Sequence, residues 1–573
     1  MSNPISPDHA AFDLPVLSSA SVSPDERHIL YVLTLGDRET QKHDSQIWLA
    51  DVDGSNRRRL TWTHPSNHSP VWSPAGDQIA YVSTGDGGGH HPHAINLLPL
   101  NGGEVRVLVR HEPSPHALAW SPDGATIAYS LAVDPNNPNE TPRDTHAPIP
   151  VRVTRRIDYK QDDFGYFNNV RSQIFLLDIA SGKRRSLTSE PRDHEHPTWS
   201  HDGETLAVNL PSDNGVQGAI GLIDVVTREM EIIGNARSEM SAFAWSPDDT
   251  RLIILRDPFD YILYEIASKT NRRLTDDPGF EPDDTANGIV WLSTSTALAH
   301  GFARGSSALY HLDVETGALT EVNHGDWNAI HSGLHLFADG TRVLQTATSI
   351  DGEVGLATID LESGKKTLLG NDAGAFFAES PAALWETLTI ERRDATIHGW
   401  LLKPADSDER QRYPLIIMVH GGPHMAHSYG IHPITEVYAT NGFVVLLVNP
   451  RGSTTYGRAF MEAVLGDWGN EDWHDLEAML DRACERAYVD SERTGIYGYS
   501  YGGYMTSWAI GQTKRFKAAV CGARFSISNR FSEPAISVTL SVPKSTAAHH
   551  GTNAITCSPA HRQRISTRQP HRR

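Results

Sequence analysis

One short pattern governs the first two thirds of this chain. An apolar residue or Trp is followed by Ser-Pro-Asp-Gly or a relative, and then by an alternating apolar strand. It reads Val71-Trp72-Ser73-Pro74-Ala75-Gly76-Asp77 and Ala119-Trp120-Ser121-Pro122-Asp123-Gly124. It returns as Trp199-Ser200-His201-Asp202-Gly203 and as Trp245-Ser246-Pro247-Asp248-Asp249. Weaker copies begin at Val22-Ser23-Pro24-Asp25, Trp291-Leu292-Ser293 and Leu336-Phe337-Ala338-Asp339-Gly340. Pro fixes φ, Asp caps its own turn and Gly accepts positive φ, so each copy is a turn that launches a strand. A second strand pair ending in a hairpin accompanies the copies, as in Ile174-Phe175-Leu176-Leu177-Asp178-Ile179-Ala180-Ser181-Gly182. Four strands in roughly 46 residues is the arithmetic of a propeller blade. Seven copies predict a seven-bladed β-propeller over residues 1–375, with an insertion near 132–170 that lengthens the gap between Trp120 and Trp199.

After about Gly374 the pattern stops, and a second domain is expected over 376–523. Glu391 to Pro404 reads as two antiparallel strands. Tyr413-Pro414-Leu415-Ile416-Ile417-Met418-Val419 and Phe443-Val444-Val445-Leu446-Leu447-Val448 are unbroken apolar runs, the mark of strands covered on both faces. Between Glu471 and Ala487 the spacing of Trp473, Leu476, Met479 and Leu480 predicts a helix, and Thr494 to Tyr497 a third strand. Strands alternating with helices specify a parallel α/β sheet.

The third strand runs into Gly498-Tyr499-Ser500-Tyr501-Gly502-Gly503. A serine hydroxyl is a poor nucleophile unless it is exposed, aimed and activated. A strand that turns sharply into a helix crowds the intervening residue with backbone, and glycines two before and two after it remove the clashing Cβ atoms. Ser500 is therefore the expected nucleophile, with Gly498, Gly502 and Gly503 shaping the elbow. Upstream, His420-Gly421-Gly422-Pro423 ends an earlier strand, and His420 and Gly421 support a loop in which Gly422 offers a backbone N–H. Together with the N–H of Tyr501 it would form an oxyanion hole. This is an α/β-hydrolase pattern.

The repeats, the His-Gly-Gly-Pro loop, Asn449-Pro450-Arg451-Gly452-Ser453 with Tyr456-Gly457, and the elbow together resemble the prolyl oligopeptidase family, nearest its acylaminoacyl-peptidase and dipeptidyl-peptidase-like branch. The resemblance implies a serine peptidase of short peptides, an acylaminoacyl-, dipeptidyl- or oligopeptidase, whose propeller gates access. It needs no cofactor, and homo-oligomerisation is compatible with it. An esterase or amidase on the same scaffold, and a propeller acting only as a binding module, are the alternatives.

In this fold the triad Asp and His follow the serine in chain order. No Asp occurs after Asp490, and the histidines beyond Ser500 are His549, His550, His561 and His571. All four lie in residues 524–573, a basic Ser/Thr-rich stretch with eight Lys/Arg against the single acid Glu533. The expectation is a hydrolase domain without its last strands, a tail foreign to the fold from truncation or a frame shift, and little or no activity. The chain as a whole carries a formal charge of −20, against the positive footprint that nucleic-acid binding needs. It has no apolar run of membrane length, no secretory leader pattern at Met1 and only three cysteines, which point to a cytoplasmic protein with no membrane partner. Gly87-Gly88-Gly89-His90-His91-Pro92-His93 and Asp193-His194-Glu195-His196 read as loops rather than metal sites, and His474 as a surface residue.

Overall fold

The computed structural model describes residues 3–522, apart from 86–91, 139, 141–152, 155–158, 162–164, 213–217, 237–241, 258, 277–278, 284, 286, 323–327, 379 and 409. The repeat turns form for local reasons. The serine hydroxyl donates to the aspartate two residues on, at 2.5 Å for Ser121–Asp123 and 2.6 Å for both Ser200–Asp202 and Ser246–Asp248. The same oxygen accepts the backbone N–H five residues on, from Thr126, Thr205 and Arg251. These serine bonds are the main reason that Asp123, Asp202 and Asp248 sit below the ordinary Asp pKa of 3.8. The glycine suits the backbone of the turn: Gly124 and Gly203 have φ of 72° and 74°, and the proline of the preceding repeat lies at ordinary contact distance from where a Cβ would sit, 3.7 Å for Pro74 and 3.5 Å for Pro122.

The anchoring tryptophans join one repeat to the next. The indole N–H groups of Trp199, Trp245 and Trp291 donate to the carbonyls of Ala119, Thr198 and Ala244 at 3.1, 3.3 and 3.0 Å. Each acceptor lies in the strand of the repeat before. The resulting array is propeller-like. One eight-stranded sheet spans 16–111 and consists of two four-stranded meanders joined by a parallel contact at Ser45–Ser66. Separate sheets follow over 116–186, 195–236, 243–273, 281–321 and 329–368, the fourth of them with five strands. The insertion leaves between the paired strands Thr126–Val133 and Arg171–Asp178, so the blade closes beneath it. Leu17, Ile29 and Tyr31 of the first sheet share one core with Phe337, Leu344 and Leu356 of the last, which closes the series on itself.

The second half is a six-stranded sheet in the order Leu384–Arg392, Ala395–Lys403, Val444–Asn449, Tyr413–Val419, Val489–Tyr499, Phe516–Gly522. The first three strands are antiparallel neighbours and the rest run parallel. Leu415, Ile417, Leu446, Val448 and Ile496 pack against Trp473, Leu476, Met479 and Leu480 of the helix Glu471–Cys484. Burying a side chain of that size stabilises by about 1.5–3 kcal/mol, which is why unbroken apolar runs become central strands. The chain start is clasped to this half: the Ile5 N–H donates to Thr440 Oγ1 at 3.0 Å, and Asn441 Nδ2 donates to the Ile5 carbonyl at 3.1 Å.

Candidate active site

Ser500 is the one residue between the strand Val489–Tyr499 and the helix Tyr501–Gln512. Its backbone has φ 57° and ψ −120°, a conformation that costs a non-glycine residue about 1–3 kcal/mol. The turn is locked from both sides: the Ser500 N–H donates to the Gly522 carbonyl at 3.0 Å, and the Ser500 carbonyl accepts the Tyr504 N–H at 3.0 Å. The flanking glycines are forced. A Cβ at Gly498 would lie 2.2 Å from the Gly502 carbonyl oxygen, and one at Gly502 would lie 2.2 Å from that of Val419. Gly503 is buried in the first helical turn.

The residue after the serine is anchored from below. Tyr501 is buried, and its hydroxyl donates to Asp472, a carboxylate with no solvent exposure that also accepts the N–H groups of Gly469 and Trp473 at 2.8 and 2.9 Å. Burial lifts the Asp472 pKa above its ordinary value, and the Tyr501 bond opposes that rise. As the first residue of the helix, Tyr501 has a backbone N–H with no acceptor inside the helix.

The His420–Pro423 loop borders the same point. A Cβ built on Gly421 would be 3.7 Å from Ser500 Cβ, and Gly422 has φ 112°. His420 Nδ1 lies 2.7 Å from the Gly421 carbonyl, which cannot donate, so Nδ1 carries the proton. Nε2 lies 3.0 Å from Ser453 Oγ, whose hydroxyl donates to the Pro450 carbonyl at 2.6 Å. Burial pushes the His420 pKa down to about 4, so the ring is neutral and holds the loop. Asn449 completes the support by accepting the His427 N–H at 2.7 Å and donating to the His427 carbonyl at 2.9 Å.

Sequence reasoning missed the buried charges beneath these loops. Arg451 meets Asp475 through Nε and a terminal nitrogen at 2.9 and 2.7 Å, and Glu471 at 2.8 Å. Arg451 was legible as a loop residue, but its partners lie on a helix whose apolar stripe gave no sign of them.

Two loops of this half dock on the propeller. The Arg304 N–H donates to the Thr455 carbonyl at 2.8 Å, the Gly305 N–H to Thr455 Oγ1 at 3.0 Å, and the Tyr429 N–H to the Gly305 carbonyl at 2.9 Å. Along this seam lies a cavity of about 520 Å³ lined by Arg304, Asp394, His398, Arg451, Tyr456 and Phe460 among others.

Among the described residues, no His or Asp side chain hydrogen-bonds the Ser500 hydroxyl. His549, His550, His561 and His571 lie outside the described residues, as do Gly87–His91. Among the described residues no cluster of three or more His, Cys, Asp and Glu is arranged to hold a metal. Asp193 instead pairs with Arg171 at 3.0 Å and caps the Ser172 N–H. His474 is half exposed on its helix, 3.6 Å from Glu477. No described helix is long and apolar enough to cross a membrane.

Comparison with known proteins agrees with this architecture. Residues 431–534 match the prolyl oligopeptidase family, a match that runs past residue 523. Uncharacterized peptidase YuxL of Bacillus subtilis is 29% identical over 540 residues, covering 88% of this chain and 80% of that protein. Dipeptidyl-peptidase 5 of Porphyromonas gingivalis is 24% identical over 575 residues, covering 88% of this chain and 77% of that one. The structure of Pyrococcus horikoshii acylaminoacyl peptidase superposes with a TM-score of 0.72 at 21% identity, over 90% of this chain and 78% of that chain, and so shares the fold. Residues 431–534 thus carry a domain of the prolyl oligopeptidase family, and the relatives that this chain resembles along most of its length are named as peptidases, one of them a dipeptidyl-peptidase 5.

Proposed function

We propose that this chain is built for serine-type hydrolysis of short peptides at Ser500, behind a seven-bladed propeller that restricts entry, with turnover kept low because, among the described residues, no Asp or His is hydrogen-bonded to the serine. The observation that carries the reading is the Ser500 elbow, strained at φ 57° and fixed by glycines that no other residue can replace. In the reaction, Ser500 Oγ adds to the peptide carbonyl as its proton passes to solvent water, and the charge that develops on the carbonyl oxygen faces the Tyr501 and Gly422 N–H groups. Collapse breaks the C–N bond, the departing amine takes a proton from water, and the acyl-enzyme left behind is hydrolysed by water to release the acid and restore the serine hydroxyl. His420, neutral and hydrogen-bonded to the Gly421 carbonyl, holds the Gly421–Gly422 loop in place rather than taking the serine proton. The seven-blade count is supported by reading the eight-stranded sheet as two four-stranded blades beside the five separate sheets.

The test is a fluorophosphonate probe on the full chain. We expect a single adduct at Ser500 that Ser500→Ala abolishes. A folded chain that takes up no label overturns the reading. Turnover of dipeptide, acyl-peptide and p-nitrophenyl ester substrates, compared side by side, separates a peptidase from an esterase.

A further inference from the structure

The seam cavity has an unusual charge arrangement. Ala303 and Ser306 pair directly, so Arg304 and Gly305 form a two-residue hairpin turn. Their φ values of 51° and 78° are the type I′ geometry, for which Asn or Gly is the ordinary choice. The turn is pinned to the hydrolase half by Thr455, and a Cβ on Gly305 would lie 2.8 Å from the Trp400 ring. A long cation is thus carried into the cavity on a fixed base. Arg451, the other guanidinium lining it, is fully matched by Asp475, Glu471 and Asp394. The Glu281 carboxylate on the neighbouring strand accepts the Thr455 N–H. Arg304 itself has no acidic partner among the described residues.

The remaining polar groups suit an anion without adding charge. Burial first, and Arg304 second, hold His398 below its usual pKa, so it lines the cavity as a neutral ring. The Tyr456 oxygen accepts from Asn449 Nδ2 at 3.0 Å, which leaves its own O–H free to donate. Phe460 supplies an apolar wall. The position is equally telling. His398 pairs with Asn449 at the end of its strand, on the same edge of the sheet as Ser500. Three strand steps separate them, roughly 14 Å at the usual spacing. An extended peptide covers that in about four residues.

We infer that this cavity is a subsite for a carboxylate of the bound peptide, gripped by Arg304 and hydrogen-bonded by Tyr456 and His398. The inference rests on the reading of Ser500 as a peptidase nucleophile. It gives the propeller turn a part in substrate selection, because a peptide would be measured from the serine to a fixed cation. A guanidinium–carboxylate contact is charge-assisted and worth about a tenfold gain in affinity or more.

The test is direct binding to the full chain by calorimetry, using three probes: pentaalanine with a free C-terminus, its C-terminal amide, and an amidated pentapeptide with Glu at its fourth position. Binding of the free acid at least tenfold tighter than the amide assigns the site to a terminal carboxylate. The same gain for the Glu peptide assigns it to an acidic side chain. Arg304→Gln should abolish either preference, and Arg304→Lys should restore part of it. Equal affinity for all three probes, no binding of any of them, or a preference that survives Arg304→Gln overturns the inference. Fluorophosphonate labelling is read in parallel. Labelling without carboxylate preference sinks this inference alone, whereas preference without labelling sinks the hydrolase reading alone.

Discussion

Replacing Tyr501 by Phe probes the platform under the elbow. The substitution removes one oxygen and leaves the ring in its buried place against Trp468, whose centroid is 5.3 Å away. Asp472 then keeps the Gly469 and Trp473 N–H groups but loses its one side-chain donor among the described residues. A hydrogen bond to a charged group contributes about 1.5–3 kcal/mol, so a loss of that size is expected at neutral pH. The sign of its pH dependence follows from Asp472. Burial raises the native pKa of this group above the ordinary 3.8, so the native state holds its proton to higher pH than the unfolded chain does. Stability from this site is therefore lost as pH rises through that window. Tyr501→Phe removes an interaction that favours the ionised form and extends the window upward. The deficit of the variant should be largest above the native pKa. It should shrink to the value of a neutral hydrogen bond, about 1 kcal/mol, once Asp472 is protonated in both proteins. Urea unfolding followed by tryptophan fluorescence at stepped pH measures it, since Trp468 and Trp473 report on this layer. A deficit below about 0.5 kcal/mol at neutral pH, or one that does not change with pH, would refute the reasoning.

Other outcomes are accessible to the same assays. Gly502→Ala sets a methyl 2.2 Å from a main-chain oxygen with no flexible neighbour to yield; we expect a loss of about 1–3 kcal/mol or more together with loss of fluorophosphonate labelling, and wild-type labelling would contradict the elbow geometry. Asp475→Ala leaves Arg451 buried without the partner that holds two of its nitrogens, keeping only Glu471 and Asp394, and should cost about 3–5 kcal/mol in urea unfolding, whereas a neutral result would show that those two carboxylates suffice. In the repeats, the triple change Ser121→Ala, Ser200→Ala and Ser246→Ala removes the main cause of the low pKa of Asp123, Asp202 and Asp248. Its stability deficit should be full above the ordinary Asp value of 3.8 and fade as pH falls through the lowered native values; acid unfolding curves that stay parallel would rule this out.

The parts of this molecule that could be read from sequence are those whose causes are short-range. Ser121, Asp123 and Thr126 interact within five residues, so the turn announces itself wherever the letters occur. The elbow is legible because its glycines flank Ser500 at a fixed spacing, although the oxygen that crowds Gly502 belongs to Val419 on another strand. The indole bonds from Trp199, Trp245 and Trp291 reach back a whole repeat. Their spacing was visible but their role was not, because nothing local marks the accepting carbonyl. Least legible were the contacts that join distant segments by chance of topology: Asp472 under Tyr501, Asp475 beside Arg451, and the Arg304 turn against Thr455. In each, an ordinary surface-type residue becomes structural only once the sheet order brings it inward.

The shared core of the first and last propeller sheets sets a timetable for synthesis. Leu17, Ile29 and Tyr31 wait for Phe337, Leu344 and Leu356, encoded roughly 300 residues later. At translation rates of about 5–20 residues per second, that apolar face stays uncovered for about 15–60 s on every nascent chain. The clasp of Ile5 on Thr440 comes later still. Until then the earliest-made blade is a standing target for holdase chaperones, and a pause in translation before residue 337 prolongs its exposure.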